Sequence, residues 1–489
     1  MSGELVKDYP VVPSASETLA AFAADLTFDA LPAGVVAKVK VHLLDLLGVA
    51  LAAAPMDFGA AVHRVAVAMG GPETCTAIGF PARMPAAWAA LVNGTLAHGL
   101  DFDDTHPDSV VHVSASVVPA ALAVCEERDA SGEDFLVALA LGMEANVRLG
   151  LVARGGFHDR GFHPTGICGA YAAALVAAKV SGLGPAQIAD ALGLAGSQAA
   201  GSLEFLTDGA WAKRIHAGWA AHAGLLAARL AAAGFSGPRA TLDGRFGLYR
   251  SHLGDGGWDL SALTERLGER WEMLNIGLKP YPCCHLNHAF IDCAAALRAA
   301  HPISAEQIER VECLIAAREV PIVCEPEESK RTPQNDYDAK FSLHYTVASM
   351  LVRGHVDVDD FTPRAIRDPA VLALAQRIAY RDDPHSDFPR YFSGRMQIRL
   401  RDGRVLEHHE PVNRGCAERP LTRDEVRDKF VRLAARALSL SQAEAAIAAV
   451  AAVGSPRGVS ALTATLRPQA RLAPGGLQGV AEYLSPRET

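Results

Sequence analysis

The chain has 489 residues, half of them apolar and 21% charged, with a formal net charge of −9. That length and apolar content suffice for two or more hydrophobic cores, and the lack of long like-charge blocks excludes a disordered or purely solvating chain. Without a broad basic face there is little to neutralise a phosphate backbone, so nucleic acid is not an expected partner and any anionic small substrate must be met by local cations.

The opening Met-Ser-Gly-Glu-Leu-Val-Lys has no basic start followed by an apolar run and a cleavage site, so no secretory signal is expected. Helical patterning begins at residue 14. Ser14-x-x-Glu17 has capping-box spacing, and Leu19, Phe22, Ala23 and Leu26 then share one helix face. Leu31-Pro32 opens a second helix, with Val36, Val39, Leu43, Leu46 and Ala50 at helical spacing. Its most apolar stretch, 43–54, is interrupted by Asp45 and falls short of the roughly 20 residues needed to span a bilayer, so no membrane span is expected. Segments 85–97, 114–127, 132–152, 166–180 and 211–233 are rich in Ala, Leu and Gly, small residues that let helices approach closely. They predict a tightly packed helical domain.

After residue 274 the pattern changes. Residues 308–316, 396–400 and 405–408 alternate apolar and polar side chains, the last two flanking Asp402-Gly403, a hairpin signal. A helix is predicted over 339–352, with loops over 321–334 and 381–390. Thr422-x-x-Glu425 then caps a return to helix from 421 to the mid-450s. If these last helices rejoin the first domain, the α+β part is an insertion. The nine cysteines include one adjacent pair and no Cys-x-x-Cys. Neither a zinc cage nor a disulfide framework is expected, and a reducing cytoplasm is the expected compartment.

Four islands carry chemistry. HGLDFDDTHPDSVVH, residues 98–112, concentrates Asp101, Asp103, Asp104 and Asp108 with His98, His106 and His112. Burying carboxylates side by side costs several kcal/mol unless protons or cations compensate, so this density suits an acid/base site better than a core segment. A solvated loop is the plain alternative. A magnesium site from Asp101, Asp104 and Asp108 is a further one, but no second acidic cluster supports it and no metal is expected. In GFHPTG, His163 precedes a proline at a helix start, where free amides and the helix dipole attract anions. In WAKRIHAGWAAH, Lys213 and Arg214 suit carboxylates, as a point charge and a planar fork. In KPYPCCHLNH, Lys279, Cys283 and Cys284 lie where the helical half gives way to the α+β half, a favoured place for ligand clefts. DAKFSLHY adds Tyr345, a phenol equally suited to packing or to proton donation.

Taken in order, HGLDFDDTHPDSVVH, GFHPTGICGA, AGSQAAGSLEFLTDGAWAKRIHAGWAAHAG, LKPYPCCHLNHAFID and YDAKFSLHYTVA resemble the MmgE/PrpD family over residues 98–348. The resemblance implies a mainly α fold: a discontinuous all-helical domain, here 1–273 and 419–489, with a smaller α+β lid domain, here 274–418. It also implies a cofactor-free homodimer whose site lies between domain and lid and takes a small polycarboxylate. Position by position it implies Asp101, His112, His163, Lys213, Lys279 and Tyr345 as catalytic groups with Thr105 in the pocket; beside these, His106, Arg214 and Cys284 are expected substrate contacts from their places in the islands. In that arrangement the lysines hold carboxylates, His112 oriented by Asp101 moves the proton, and His163 or Tyr345 supplies the opposing acid. The activities in view are dehydration of a 2-methylcitrate-like substrate, epimerisation of an iminodisuccinate-like one, and cis-aconitate-type decarboxylation. A silent polycarboxylate-binding protein is the non-enzymatic alternative. The decarboxylase branch has a histidine after its Lys-x-x-Pro-x stretch where this chain has Cys284, with His285 one place later, so dehydration is expected ahead of decarboxylation.

Overall fold

The structure, a computed structural model, describes residues 13–388 and 390–468. The expectation about the opening residues, and the end of the 419–489 segment, lie outside the described residues.

Ser14 and Glu17 cap Ala15–Asp25 reciprocally, and Ala33–Ala53 follows Pro32. Ala86–His98, Ser114–Arg128, Gly132–Ala153, Pro164–Val180 and Ala212–Ala232 stand where the Ala-, Leu- and Gly-rich segments predict helices. Their closeness depends on absent side chains. A Cβ on Gly94 would lie 2.6 Å from the Gly218 Cα, and one on Gly218 would lie 2.3 Å from the Leu91 carbonyl oxygen. Ala86–His98 and Ala212–Ala232 therefore cross backbone on backbone, which brings Lys213 up to the residues that follow His98.

Gly132–Ala153 is, among the described residues, a helix long and apolar enough to cross a membrane, and its apolar window is 94% buried inside the fold. It carries the buried pair Glu144–Arg148 at 2.5 Å. Arg148 also donates to the carbonyls of Ala262, Glu265 and Arg270, while Glu144 accepts the Glu272 and Met273 N–H groups. Every part of that charge pair is used to fix the segment leading into the second domain.

In that second domain Ile378–Asp382, Ile308–Ile315, Gly394–Leu400 and Val405–Glu410 form a four-stranded sheet in that spatial order. The first pair is parallel and the other two are antiparallel. His288–Ala300 and Leu343–Arg353 pack with it over a separate apolar cluster. Arg423–Ala434, opened by the Thr422–Glu425 capping box, returns to lie against Ala33–Ala53, and Phe430, Val431 and Leu433 join the core of the helical half. The fold is mainly α, a discontinuous helical domain with a smaller α+β domain set between its parts.

The local departures have local causes. The predicted 339–352 helix is two, Asp336–Lys340 and Leu343–Arg353, because the Ser342 hydroxyl accepts the Tyr345 N–H and starts a new helix. The 321–334 loop contains Val320–Val323 and Glu327–Arg331. The 381–390 loop begins inside the edge strand Ile378–Asp382. A small hairpin, Cys75–Thr76 with Arg83–Met84, interrupts the helical half.

Candidate active site

The acidic island leaves helix Ala86–His98 and turns sharply. Asp101 has φ of 55°, a left-handed conformation that a residue with a side chain adopts only when its surroundings impose it. Three ammonium groups impose it. Lys340 Nζ donates to the Leu100 carbonyl at 2.6 Å, Lys279 Nζ to that of Asp101 at 2.9 Å, and Lys429 Nζ to that of Phe102 at 3.1 Å. Three consecutive carbonyls are thus gripped from the lid, the domain crossover and the C-terminal helices. Lys340 also donates to the Pro282 carbonyl and Lys429 to that of Lys279. Lys429 is neutralised by Asp45 at 2.8 Å and lies 3.8 Å from the centre of the Phe102 ring. Asp104 is held by His42 at 2.6 Å and by the N–H and hydroxyl of Ser114.

The Asp101 side chain is the centre of the site. Its Oδ1 lies 2.6 Å from Lys213 Nζ, 3.2 Å from Lys279 Nζ and 3.9 Å from His112 Nε2, and its buried Oδ2 has no hydrogen-bond partner. Burial opposes its charge, but Lys213, Lys279 and His112 outweigh that penalty and hold the carboxyl well below the usual range. His112 Nδ1 lies 3.1 Å from Asp103 Oδ1, and the other oxygen of Asp103 accepts from His98 Nδ1 at 2.7 Å. Burial first, with Lys279 and Lys213 adding to it against the pull of Asp103, brings His112 down to about 4. It is neutral at pH 7 and able to take a proton.

His163 is the N-cap of Pro164–Val180, and its Nδ1 meets His216 Nδ1 at 3.0 Å. A nitrogen pair at that distance shares one proton. Burial, reinforced by neighbouring imidazoles and Lys213, holds His163 well below its usual range and brings His216 to about 4. The ring centres of His98, His112 and His163 are 4.7 to 6.1 Å apart. Asp101, His163, Lys213 and Lys279 are each no more than 4% exposed, so the cluster is closed over.

The structure therefore brings Asp101, His112, His163, Lys213 and Lys279 together. Thr105 joins them through His285, 2.9 Å from its hydroxyl, and a two-way backbone bridge ties Thr105 to Gly277. Arg214 pairs across the domain seam with Asp336. Cys284 is buried, and burial, with Asp101 adding to it, pushes its thiol up to about 11, so it keeps its proton and is no nucleophile. Two expected residues point elsewhere. Tyr345 is buried in the lid core, where its hydroxyl donates to the Asp360 carbonyl, so it is a packing residue. His106 accepts the Ser109 N–H within its own turn. The nearer carboxylate to His112 is also Asp103 rather than Asp101.

Sequence reasoning named His98, Asp103 and His285 without giving them a role and passed over His216 and Lys340, because local pattern does not say which imidazole faces which. Lys429 gave no signal, since it stands 327 residues from its Phe102 partner. For a cation, His98, Asp103 and His112 offer one ligand atom each within 4.8 Å of one another. Asp103 already spends an oxygen on His98, and two ammonium groups sit on the adjoining Asp101, so the set reads as a charge-balanced hydrogen-bonded cluster. The magnesium set is not assembled, because Asp104 is spent on His42 and Ser114 and Asp108 is exposed.

Two family models match the chain, the MmgE/PrpD N-terminal domain over residues 17–261 and the MmgE/PrpD C-terminal domain over 281–454. The chain belongs to the MmgE/PrpD family. Among MmgE/PrpD relatives, the cis-aconitate decarboxylase of Mus musculus is 27% identical over 476 residues, 94% of each chain. A cis-aconitate decarboxylase-like protein of Aspergillus oryzae is 26% identical over 456 residues, 89% of this chain and 94% of that one. A mitochondrial 2-methylcitrate dehydratase of Yarrowia lipolytica is 30% identical over 88 residues, 17% of each. The long matches thus carry the name of the decarboxylase, the reaction expected behind dehydration because of Cys284. The structure also softens that departure, since His285, one place later, supplies an imidazole at the Thr105 hydroxyl.

Proposed function

We propose that this MmgE/PrpD member is a cofactor-independent lyase of small polycarboxylates that works through a carbanion developing beside a carboxylate. The observation that carries the reading is the convergence of Lys213 and Lys279 on one buried carboxylate with the neutral imidazole of His112 3.9 Å away. Two fixed ammonium groups bind a substrate carboxylate and stabilise the negative charge that spreads into it, the electrostatic contribution that usually dominates such catalysis. His112 Nε2 takes the proton, and Asp103, beside Nδ1, stabilises the imidazolium that forms. The His163–His216 pair supplies a proton from another side. Because the cluster is closed, substrate enters when the lid parts from the helical domain.

Two finer reactions fit this machinery. In dehydration of a 2-methylcitrate-like substrate, His112 removes the C–H proton and His163 protonates the departing hydroxyl; the two separate imidazole groups favour it. In decarboxylation of cis-aconitate, carbon dioxide leaves and one imidazole protonates the carbanion; the full-length relatives favour it. Epimerisation of an iminodisuccinate-like substrate uses the same groups without elimination, and a silent binding protein would use only the lysines. On cysteine usage and family resemblance we further propose a homodimer working in the cytoplasm.

Proton NMR in heavy water on a panel of di- and tricarboxylates separates these. Dehydration of 2-methylcitrate turns its methyl doublet into a singlet, decarboxylation of cis-aconitate brings up a new pair of =CH2 signals, and epimerisation shows as loss of a stereocentre proton with no alkene. A panel left wholly unchanged by the enzyme refutes the lyase reading.

A further inference from the structure

A phenol buried with nothing to bind lowers stability, so its retention calls for an explanation. Among the described residues, Tyr337 is the only tyrosine whose buried hydroxyl makes no hydrogen bond of good geometry, the Arg214 side chain being the one polar group that reaches it. The other buried tyrosines use theirs: Tyr171 meets Thr241, Tyr249 donates to the Leu149 carbonyl, Tyr281 to Asp292 and Tyr345 to the Asp360 carbonyl. Tyr337 itself is 2% exposed.

Its position makes the vacancy of partners meaningful. Tyr337 lies on the lid helix Asp336–Lys340, between Asp336, which pairs with Arg214, and Lys340, which grips the Leu100 carbonyl. Its ring meets Phe205 edge-on at 6.1 Å, and Phe205 meets His163 at 6.3 Å and His216 at 6.1 Å. On its other side Phe341 stacks at 5.8 Å and lies 5.2 Å from Lys213 Nζ. The Arg214 guanidinium stands 5.0 Å from the Tyr337 ring centre, and Arg214 Nε is likewise buried without a partner. Burial, with Asp101 adding to it, raises the phenol far above its usual range against the pull of the neighbouring Arg214 guanidinium, so it keeps its proton.

We propose that the Tyr337 hydroxyl and Arg214 Nε–H form a subsite for a second carboxylate of the substrate, beyond the one held by Lys213 and Lys279. A phenol and a charged guanidinium N–H on neighbouring side chains match an acceptor with two oxygens better than a hydroxyl or an amine. Arg214 comes from the helical domain and Tyr337 from the lid, so the subsite exists only when the two meet, and it favours substrates that carry the extra carboxylate. This rests on the polycarboxylate reading above.

The test compares Tyr337→Phe with Tyr345→Phe, using steady-state kinetics on the polycarboxylate turned over and thermal melting with tricarballylate, a saturated tricarboxylate. Removing an unpartnered hydroxyl leaves the unliganded melting midpoint of Tyr337→Phe at or above that of the wild type. Its KM rises about tenfold or more while kcat stays within about threefold, and the tricarballylate-induced shift falls by at least half. Tyr345→Phe, which loses a real hydrogen bond, melts lower with KM unchanged. If the wild type responds to tricarballylate and Tyr337→Phe responds equally with an unchanged KM, the subsite is overturned and the polycarboxylate reading stands. If the wild type neither turns over nor binds any of these acids, both fall.

Discussion

Lys429→Met tests how far from the reacting groups the site is held together. The wild-type ammonium lies 2.8 and 3.0 Å from the two oxygens of Asp45 and donates to the carbonyls of Phe102 and Lys279. Methionine keeps the stem and deletes the charge, leaving Asp45 buried and unpaired. Breaking a buried pair from one side costs about 3–5 kcal/mol. Asp45 has an escape: burial already pushes its carboxyl up to about 6 against the pull of Lys429, so without the lysine it rises further and takes a proton. Folded Asp45 in the variant then binds more protons than the unfolded chain at every pH from about 4 up to its raised value, and stability falls as pH rises through that window. The deficit against the wild type is therefore large at pH 8.5 and smaller at pH 6. Urea midpoints at the two values measure it, and Asp45→Asn combined with Lys429→Met recovers part of the loss at pH 8.5. In parallel, two released carbonyls let the acidic loop drift, and turnover falls about tenfold or more, since displacements near 1 Å are that damaging. A deficit under about 1 kcal/mol at pH 8.5, or the same deficit at both values, refutes the reasoning.

The remaining predictions concern the cluster itself. His112→Ala and Lys213→Ala should each lower kcat by about a hundredfold or more, and near-normal rates in both would remove acid/base and charge-stabilising roles from these residues. Acid should destabilise the protein early. His112 and His216 titrate near 4 in the fold and His285 near 3, against an ordinary 6.5, so the folded chain binds fewer protons than the unfolded one in between. Their contribution is complete above about pH 6.5 and is lost as pH falls toward 4; the depressed carboxyl of Asp101 adds a further loss below about 4. Melting midpoints that stay level from pH 7 to pH 5 would contradict this.

Much of the architecture was legible because it is locally encoded. Ser14–Glu17 and Thr422–Glu425 name helix starts within four residues, and Asp402-Gly403 names the turn between two alternating strands. Strand Ile378–Asp382 was not legible, because it is a short edge whose pairing is parallel and nonlocal, to Ile308–Ile315. The same divide runs through the site. Asp101, His112, His163, Lys213 and Lys279 stand out by residue type within their islands, whereas the placement of Tyr345 in the lid core turns on its hydroxyl finding the Asp360 carbonyl, and that is decided by tertiary packing. Lys429 reads as one more charge on an amphipathic helix until the chain folds back on itself.

The three-lysine grip on Leu100, Asp101 and Phe102 makes the acidic loop an interlock. Each key is cut from a different stretch of polypeptide, and the one on helix Arg423–Ala434 follows the other two in chain order. A chain not yet folded past this helix can hold Asp101, His112 and Lys213 and still lack the turn that sets them against one another. The geometry of the loop is thereby deferred until helix Arg423–Ala434 has docked.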